Sequence, residues 1–171
     1  IPLCAVSIGL ELNSKIILGV VHNPFTGELF YASKGGGAFL NGRTIRVSEK
    51  KILEECVYVA AFSSESKIRK DSEYQIFGMM NDKTRGVLRI GSAALALVYL
   101  ACGRIDGFWA KGLHIWDVAG GLAIVEEANG KISSKGGKDY SLESQVLIAS
   151  NTYIHDNLIK MLSIRNYHLD L

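Results

Sequence analysis

The spacing of apolar and polar positions changes several times along the chain, and each change marks an element. "CAVSIGLEL" at 4–12 and "IILGVVH" at 16–22 are apolar, β-branched stretches of strand length, joined by Asn13-Ser14-Lys15, a turn composition. "NPFTGE" at 23–28, punctuated by Pro24 and Gly27, predicts a second turn. "LFYASK" resumes as strand, three glycines interrupt it at 35–37, and "AFL" leads into Asn41-Gly42, the strongest short hairpin signal. The opening of the chain therefore predicts an antiparallel meander.

Farther on, strand and helix patterns alternate. "CVYVAAF" at 56–62 predicts a strand, and 64–80 predicts a helix with Tyr74, Phe77 and Met80 as its apolar face. "GVLRIG" at 86–91 is a short strand. "SAALALVYLACG" at 92–103 is apolar on nearly all sides, which predicts a buried helix capped by Ser92 and ended at Gly103. After the brief strand "DGFWA", Asp117 opens a helix, "VAGGLAIVEEA", that ends at Asn129-Gly130. "KISS" and "SQVLIAS" predict strands. "YIHDNLIKMLS" predicts a closing helix with Ile154, Leu158, Ile159 and Leu162 on one face, and "IRNYHLDL" is a tail of no assigned role. No repeat or linker divides residues 1–171, so they read as a single domain of α/β (α+β) class with layered sheets and helices.

Composition narrows the functional classes. A net charge of +2 with no basic run argues against a nucleic-acid binder. The longest apolar run, "AALALVYLAC" at 93–102, is far short of the ~20 residues of a membrane span. Cys4, Cys56 and Cys102 are odd in number and widely separated. They predict buried free thiols of a reducing cytosol rather than a disulfide framework or zinc site. The chain opens on strand-like sequence and its first Met is Met79. It is expected to be the C-terminal portion of a longer protein.

Candidate chemistry centres on Asp117 in "GLHIWDVAGG". An Asp there is either a helix N-cap or a hard-oxygen ligand for Mg²⁺. Gly35-Gly36-Gly37 lacks the Gly-Lys-Ser/Thr ending of a phosphate loop and runs into Ala38-Phe39-Leu40, so it reads as a permissive turn. Asp106, before Gly107, reads as a turn residue. His114 reads as structural, because Mg²⁺ prefers oxygen ligands. Glu126 and Glu127 lie too far along the helix to share an ion with Asp117, at ~1.5 Å rise per residue. One of them is expected to cap or pair locally.

Three stretches in order, "KGGGAFLNGRTIRVS" at 34–48, "RIGSAALALVYLACGRIDGFW" at 89–109 and "GLHIWDVAGGLAIVEEANG" at 112–130, resemble the inositol monophosphatase family. The resemblance runs from about Ile1 to about Leu162. It implies a layered αβαβα sandwich, with the N-terminal part of that fold missing from the chain. It also implies Mg²⁺-dependent hydrolysis of phosphate monoesters, inositol monophosphate foremost, by a lithium-sensitive cytoplasmic homodimer. By this resemblance Asp117 is a metal ligand, and Gly91, Ser92 and Ala93 line the alcohol portion of the substrate.

The family's Glu-Glu helix pair and its Asp-Pro-(Ile/Leu)-Asp-Gly-Thr motif do not occur in the chain. No further catalytic residue is therefore assigned. The chain alone is expected to be inactive and to expose apolar surface. Ala110 stands where inositol-specific relatives often carry a substrate-contacting Glu, and Lys111 beside it would meet a second phosphate. Fructose-1,6-bisphosphate or a phosphoadenosine nucleotide is thus the alternative substrate, and a non-catalytic interaction protein retaining the fold is the alternative class.

Overall fold

The two-residue turns set the first sheet. Asn13 and Ser14 have φ of 52° and 58°, and Asn41 and Gly42 have 48° and 80°. Such left-handed pairs match the twist of hairpin strands. They join β1 (Val6–Leu12) to β2 (Lys15–Asn23) and β4 (Gly37–Leu40) to β5 (Arg43–Thr44). With β3 (Glu28–Ser33) between, the five strands form an antiparallel sheet in chain order. The Asn23 carboxamide oxygen shapes the β2–β3 turn by accepting a 3.0 Å hydrogen bond from the Phe25 N–H. This computed structural model describes residues 2–62 and 70–163.

The second sheet is mixed. β6 (Val57–Phe62) runs parallel to β7 (Gly86–Leu88) and to β8 (Gly107–Lys111), while β10 (Val146–Asn151) is antiparallel to β8 and β9 (Gly130–Ser133). The strand order is β7-β6-β8-β10-β9. Four helices complete the fold: α1 (Lys70–Lys83), α2 (Ala93–Ala101), α3 (Ile115–Glu127) and α4 (His155–Leu162).

Strand alternation sorts side chains between the layers. On β8, Phe108 and Ala110 point to a core shared with α2 and α3, whereas Trp109 points to a core shared with α1 and α4. Val21 and Phe30 of the meander enter the first core, so α2 and α3 are sandwiched between two sheets. That position explains their apolar character on nearly all sides. Among the described residues the layers run sheet, helices, sheet, helices. These are four of the five layers of the expected sandwich. The outward row of β1, Val6, Ile8, Leu10 and Leu12, is exposed, in line with the apolar surface predicted from the sequence.

Some expectations shift. The predicted start of the first helix falls partly at 63–69, outside the described residues, as does the tail at 164–171. The buried face of α1 is Ile76, Met79 and Met80, with Glu73 beside them, while Tyr74 points outward. Of the thiols only Cys56 is buried; Cys102 is half-buried and Cys4 exposed. No helix among the described residues is long and apolar enough to cross a membrane.

His155, buried at the start of α4, lies between two hydroxyls: its Nδ1 is 2.8 Å from Ser150 Oγ and its Nε2 is 2.9 Å from Ser133 Oγ. Ser150 spends its own proton on the Asn151 carbonyl. Nδ1–H therefore donates to Ser150, and Nε2 accepts from Ser133. Burial, reinforced by Lys131, pushes the imidazole down to about 4. The unfolded chain protonates this histidine near its ordinary ~6.5. The stability from neutral His155 is therefore intact above that pH and is lost as pH falls toward 4, by roughly 3 kcal/mol in all. Urea midpoints across this window should fall for the protein and fall less for His155→Gln. Equal slopes in the two would refute the assignment.

Candidate functional site

Topology brings the candidate residues together. β7 and β8 both run parallel to β6, and each is followed by a helix that returns along the sheet. α2 and α3 therefore both begin at the carboxyl end of the parallel strands, the end where open α/β sheets bind ligands. The two helices touch closely, since a Cβ added at Gly121 would stand 2.6 Å from the Leu97 Cβ. Gly121 lies one turn beyond Asp117, and Leu97 one turn beyond Ala93. Side-by-side helices running the same way thus place Asp117 and the Gly91–Ala93 segment at one level. Both N-termini favour negative charge.

Asp117 does not open its helix. α3 starts two residues earlier, at Ile115, with His114 as N-cap. Asp117 is the third helical residue, and its Oδ2 accepts a 2.9 Å hydrogen bond from the His114 N–H. This is the reciprocal arm of a capping box, and it fixes the carboxylate's orientation. The His114 ring stacks on the exposed Trp116 ring, with centroids 4.4 Å apart, consistent with its structural reading.

The small residues after Asp117 serve packing. Gly120 faces Ser7, Ile8 and Val20 of the meander, and a Cβ on Gly19 would stand 2.0 Å from the Gly120 carbonyl oxygen. Helix and sheet meet backbone to backbone, which anchors the first turn of α3.

Ser92 caps α2 as predicted, its Oγ accepting from the Leu95 N–H at 3.3 Å. Gly91 before it is exposed, with φ of 80° and open space where a Cβ would stand. Ala93 is the first helical residue and is half-buried. Ala110, by contrast, lies wholly in the core. Lys111 at the end of β8 is held by Glu73 of α1, Nζ to Oε1 3.1 Å, with both side chains largely buried. That pairing corrects the expectation that Lys111 is available to a second phosphate.

Glu127, at the far end of α3, also differs from expectation. Glu127 pairs at long range: its two oxygens accept from the Gly35 and Gly37 N–H groups, each at 2.8 Å. The triple-glycine turn does present convergent amides, and the protein's own carboxylate fills them. Asp106 is the residue that sequence reasoning undervalued. Almost fully buried, it accepts from Ser48 Oγ (2.6 Å), Lys50 Nζ (2.9 Å) and the Val57 N–H (2.7 Å). Asn151 completes the knot by donating to Ser48 Oγ and to the Lys50 carbonyl. This cluster sits at the start of β8, away from Asp117, and joins strands rather than binding a ligand.

Asp117 has the donor chemistry for a hard cation, but one carboxylate is not a magnesium site. No group of three or more His, Cys, Asp or Glu side chains among the described residues could hold a metal ion. The described residues thus supply one candidate ligand and do not complete a site.

Comparison with known proteins bears on this arrangement. The model of the inositol monophosphatase family matches residues 1–166. An inositol-1-monophosphatase of Synechocystis is 40% identical over 162 residues, covering 95% of this chain and 56% of that protein. A fructose-1,6-bisphosphatase/inositol-1-monophosphatase of Thermotoga maritima is 39% identical over 163 residues, covering 95% of this chain and 61% of that protein. The solved inositol monophosphatase of Anabaena superposes with a TM-score of 0.91 at 39% identity, over 94% of this chain and 64% of that one. The chain therefore spans about three-fifths of the length of such relatives. With layered sheets, a Trp116-Asp117 helix start beside the Gly91-Ser92 cap, and a family match over nearly all its residues, the chain belongs to the inositol monophosphatase family.

Proposed function

We propose that the full-length protein carrying this chain is a Mg²⁺-dependent phosphomonoesterase acting on inositol monophosphate. The observation that carries this reading is the paired helix start: the oriented carboxylate of Asp117 on α3, level with the exposed Gly91–Ser92 entry to α2. In this reading Asp117 supplies one metal ligand. Gly91, Ser92 and Ala93 hold the alcohol portion through open backbone and a short hydroxyl side chain. Bound Mg²⁺ would lower the pKa of a water and neutralise phosphate charge. The remaining ligands come from outside the described residues, so the 171-residue chain alone is not expected to turn over efficiently. Homodimerisation, lithium sensitivity and a cytoplasmic location belong to the same reading.

The competing substrate is fructose-1,6-bisphosphate, the alternative raised by Ala110 in the sequence and paired with inositol 1-phosphate in the name of the Thermotoga maritima relative. The deciding experiment is phosphate release by the full-length protein with Mg²⁺, offering inositol 1-phosphate and fructose-1,6-bisphosphate in parallel. Asp117→Asn should lower turnover by on the order of 100-fold or more, since loss of outer-shell partners alone costs about 10–100-fold. Its effect on stability should be only about 1 kcal/mol, the size of a cap. Retained turnover in Asp117→Asn would remove the ligand assignment. Absence of turnover on both esters in the unaltered protein would remove the phosphatase reading.

A further inference from the structure

A cavity of about 440 Å³ opens at the opposite end of α3 from Asp117. Its volume lies within the ~300–1,000 Å³ range of small-molecule pockets. The β1–β2 turn, the segment after β3, the last turns of α3 and the loop before β10 all contribute to its wall. The wall is braced, because the Glu127 carboxylate ties the glycine turn to α3.

The lining sets both signs of charge around an apolar floor. Lys15 and Lys34 supply positive charge, Glu126 and Asp139 negative, and Leu122 with the Tyr140 ring forms the floor. Neither lysine makes an ion pair among the described residues. Partial desolvation of the carboxyl against the cavity wall comes first and the adjacent Glu127 carboxylate second in holding Glu126 above the usual range, with Lys34 partly offsetting them. The C-terminal end of α3 adds the helix's partial negative charge. A cationic group is therefore favoured beside Glu126. The lysines are left to receive an anion, and Lys34 is close enough to Glu126 for their charges to interact.

We infer that this cavity binds an α-amino acid with an apolar side chain. Its ammonium lies against Glu126, its carboxylate against Lys34 and Lys15, and its side chain on Leu122 and Tyr140. The ligand carries both signs of charge beside an apolar group, as the lining of the cavity does.

The test is titration of the ¹⁵N-labelled protein with L-leucine, N-acetyl-leucine and leucine amide, followed by NMR. Leucine should give saturable shifts of amides in α3's last turns and around Tyr140. Each blocked derivative should bind at least about ten-fold more weakly, a loss of ~1.4 kcal/mol. Glu126→Gln, at an exposed position, and Lys15→Ala should weaken leucine in the same way. Saturating leucine should also lower the titration midpoint of the Glu126 carboxyl. No saturable shift at tens of millimolar leucine would overturn the inference. So would equal binding of the blocked derivatives, or unchanged binding in Glu126→Gln. None of these readouts depends on phosphatase activity.

Discussion

Gly120→Ala is expected to destabilise the protein by about 1–2 kcal/mol, although it replaces a helical glycine by the best helix former. Two effects oppose each other. Alanine in place of glycine within a helix contributes roughly 0.5–1 kcal/mol of stability. The added Cβ would stand 2.7 Å from Ser7 Oγ, 2.8 Å from the Ile8 carbonyl oxygen and 3.1 Å from that of Val20. Two of those neighbours are sheet backbone and cannot rotate away. Overpacking of this kind costs typically about 1–3 kcal/mol, occasionally more, so the clash wins. Gly78 on α1 is the matched control, with nothing within 4 Å of its added Cβ. Gly78→Ala should stabilise by roughly 0.5–1 kcal/mol. Urea unfolding of both variants gives the comparison. A Gly120→Ala protein as stable as Gly78→Ala would show that helix and sheet are not packed backbone to backbone. Because Gly120 lies three residues beyond Asp117, the shift should also move the candidate ligand without touching its chemistry.

Asp106→Ala should lose about 3 kcal/mol. The alanine removes the acceptor for a hydroxyl, an ammonium and a backbone N–H at once. Leaving the Val57 N–H buried and unpaired costs ~1–3 kcal/mol by itself. The lysine contributes less than a fully buried partner would, because the Lys50 side chain is 40% exposed and can turn to water. Lys50→Met should therefore cost less than Asp106→Ala, because the hydroxyl and N–H bonds remain, but more than the ~1 kcal/mol of an exposed ion pair, because it leaves the buried Asp106 carboxylate without its cation. Ser48 keeps a partner in Asn151. Chemical denaturation of the two variants should show this asymmetry. Equal losses would mean that the ion pair, rather than the backbone and hydroxyl bonds, dominates the cluster.

Local chemistry was legible in the sequence wherever it decided the structure. Asn13-Ser14 and Asn41-Gly42 announce their hairpins because left-handed backbone is a property of the residues themselves. Ser92 announces a cap for the same kind of reason. What could not be read were arrangements made by distant segments. Glu73 breaks the expected face of α1 because Lys111, on a strand, takes its charge. Asp106 looks like a turn residue until Ser48 and Lys50 arrive from 58 and 56 positions away. The glycines after Asp117 suggest room for a ligand, yet their contacts are with β1, β2 and α2. The triple glycine shows turn chemistry plainly, but nothing near it names Glu127 as its partner.

That last pairing bears on how the chain assembles in time. The meander's hairpins close through turns of two to four residues, so their strands pair with near neighbours in the chain. The bonds from Gly35 and Gly37 to Glu127 span 92 and 90 positions, and they can form only once α3 exists to present the carboxylate. Closing so long a loop has an entropic cost that local hairpins do not bear. Contacts of this separation belong to the slow side of folding. The sheet and the helix layer are thus joined late, and the wall beside Glu126 is among the last surfaces of the molecule to be completed.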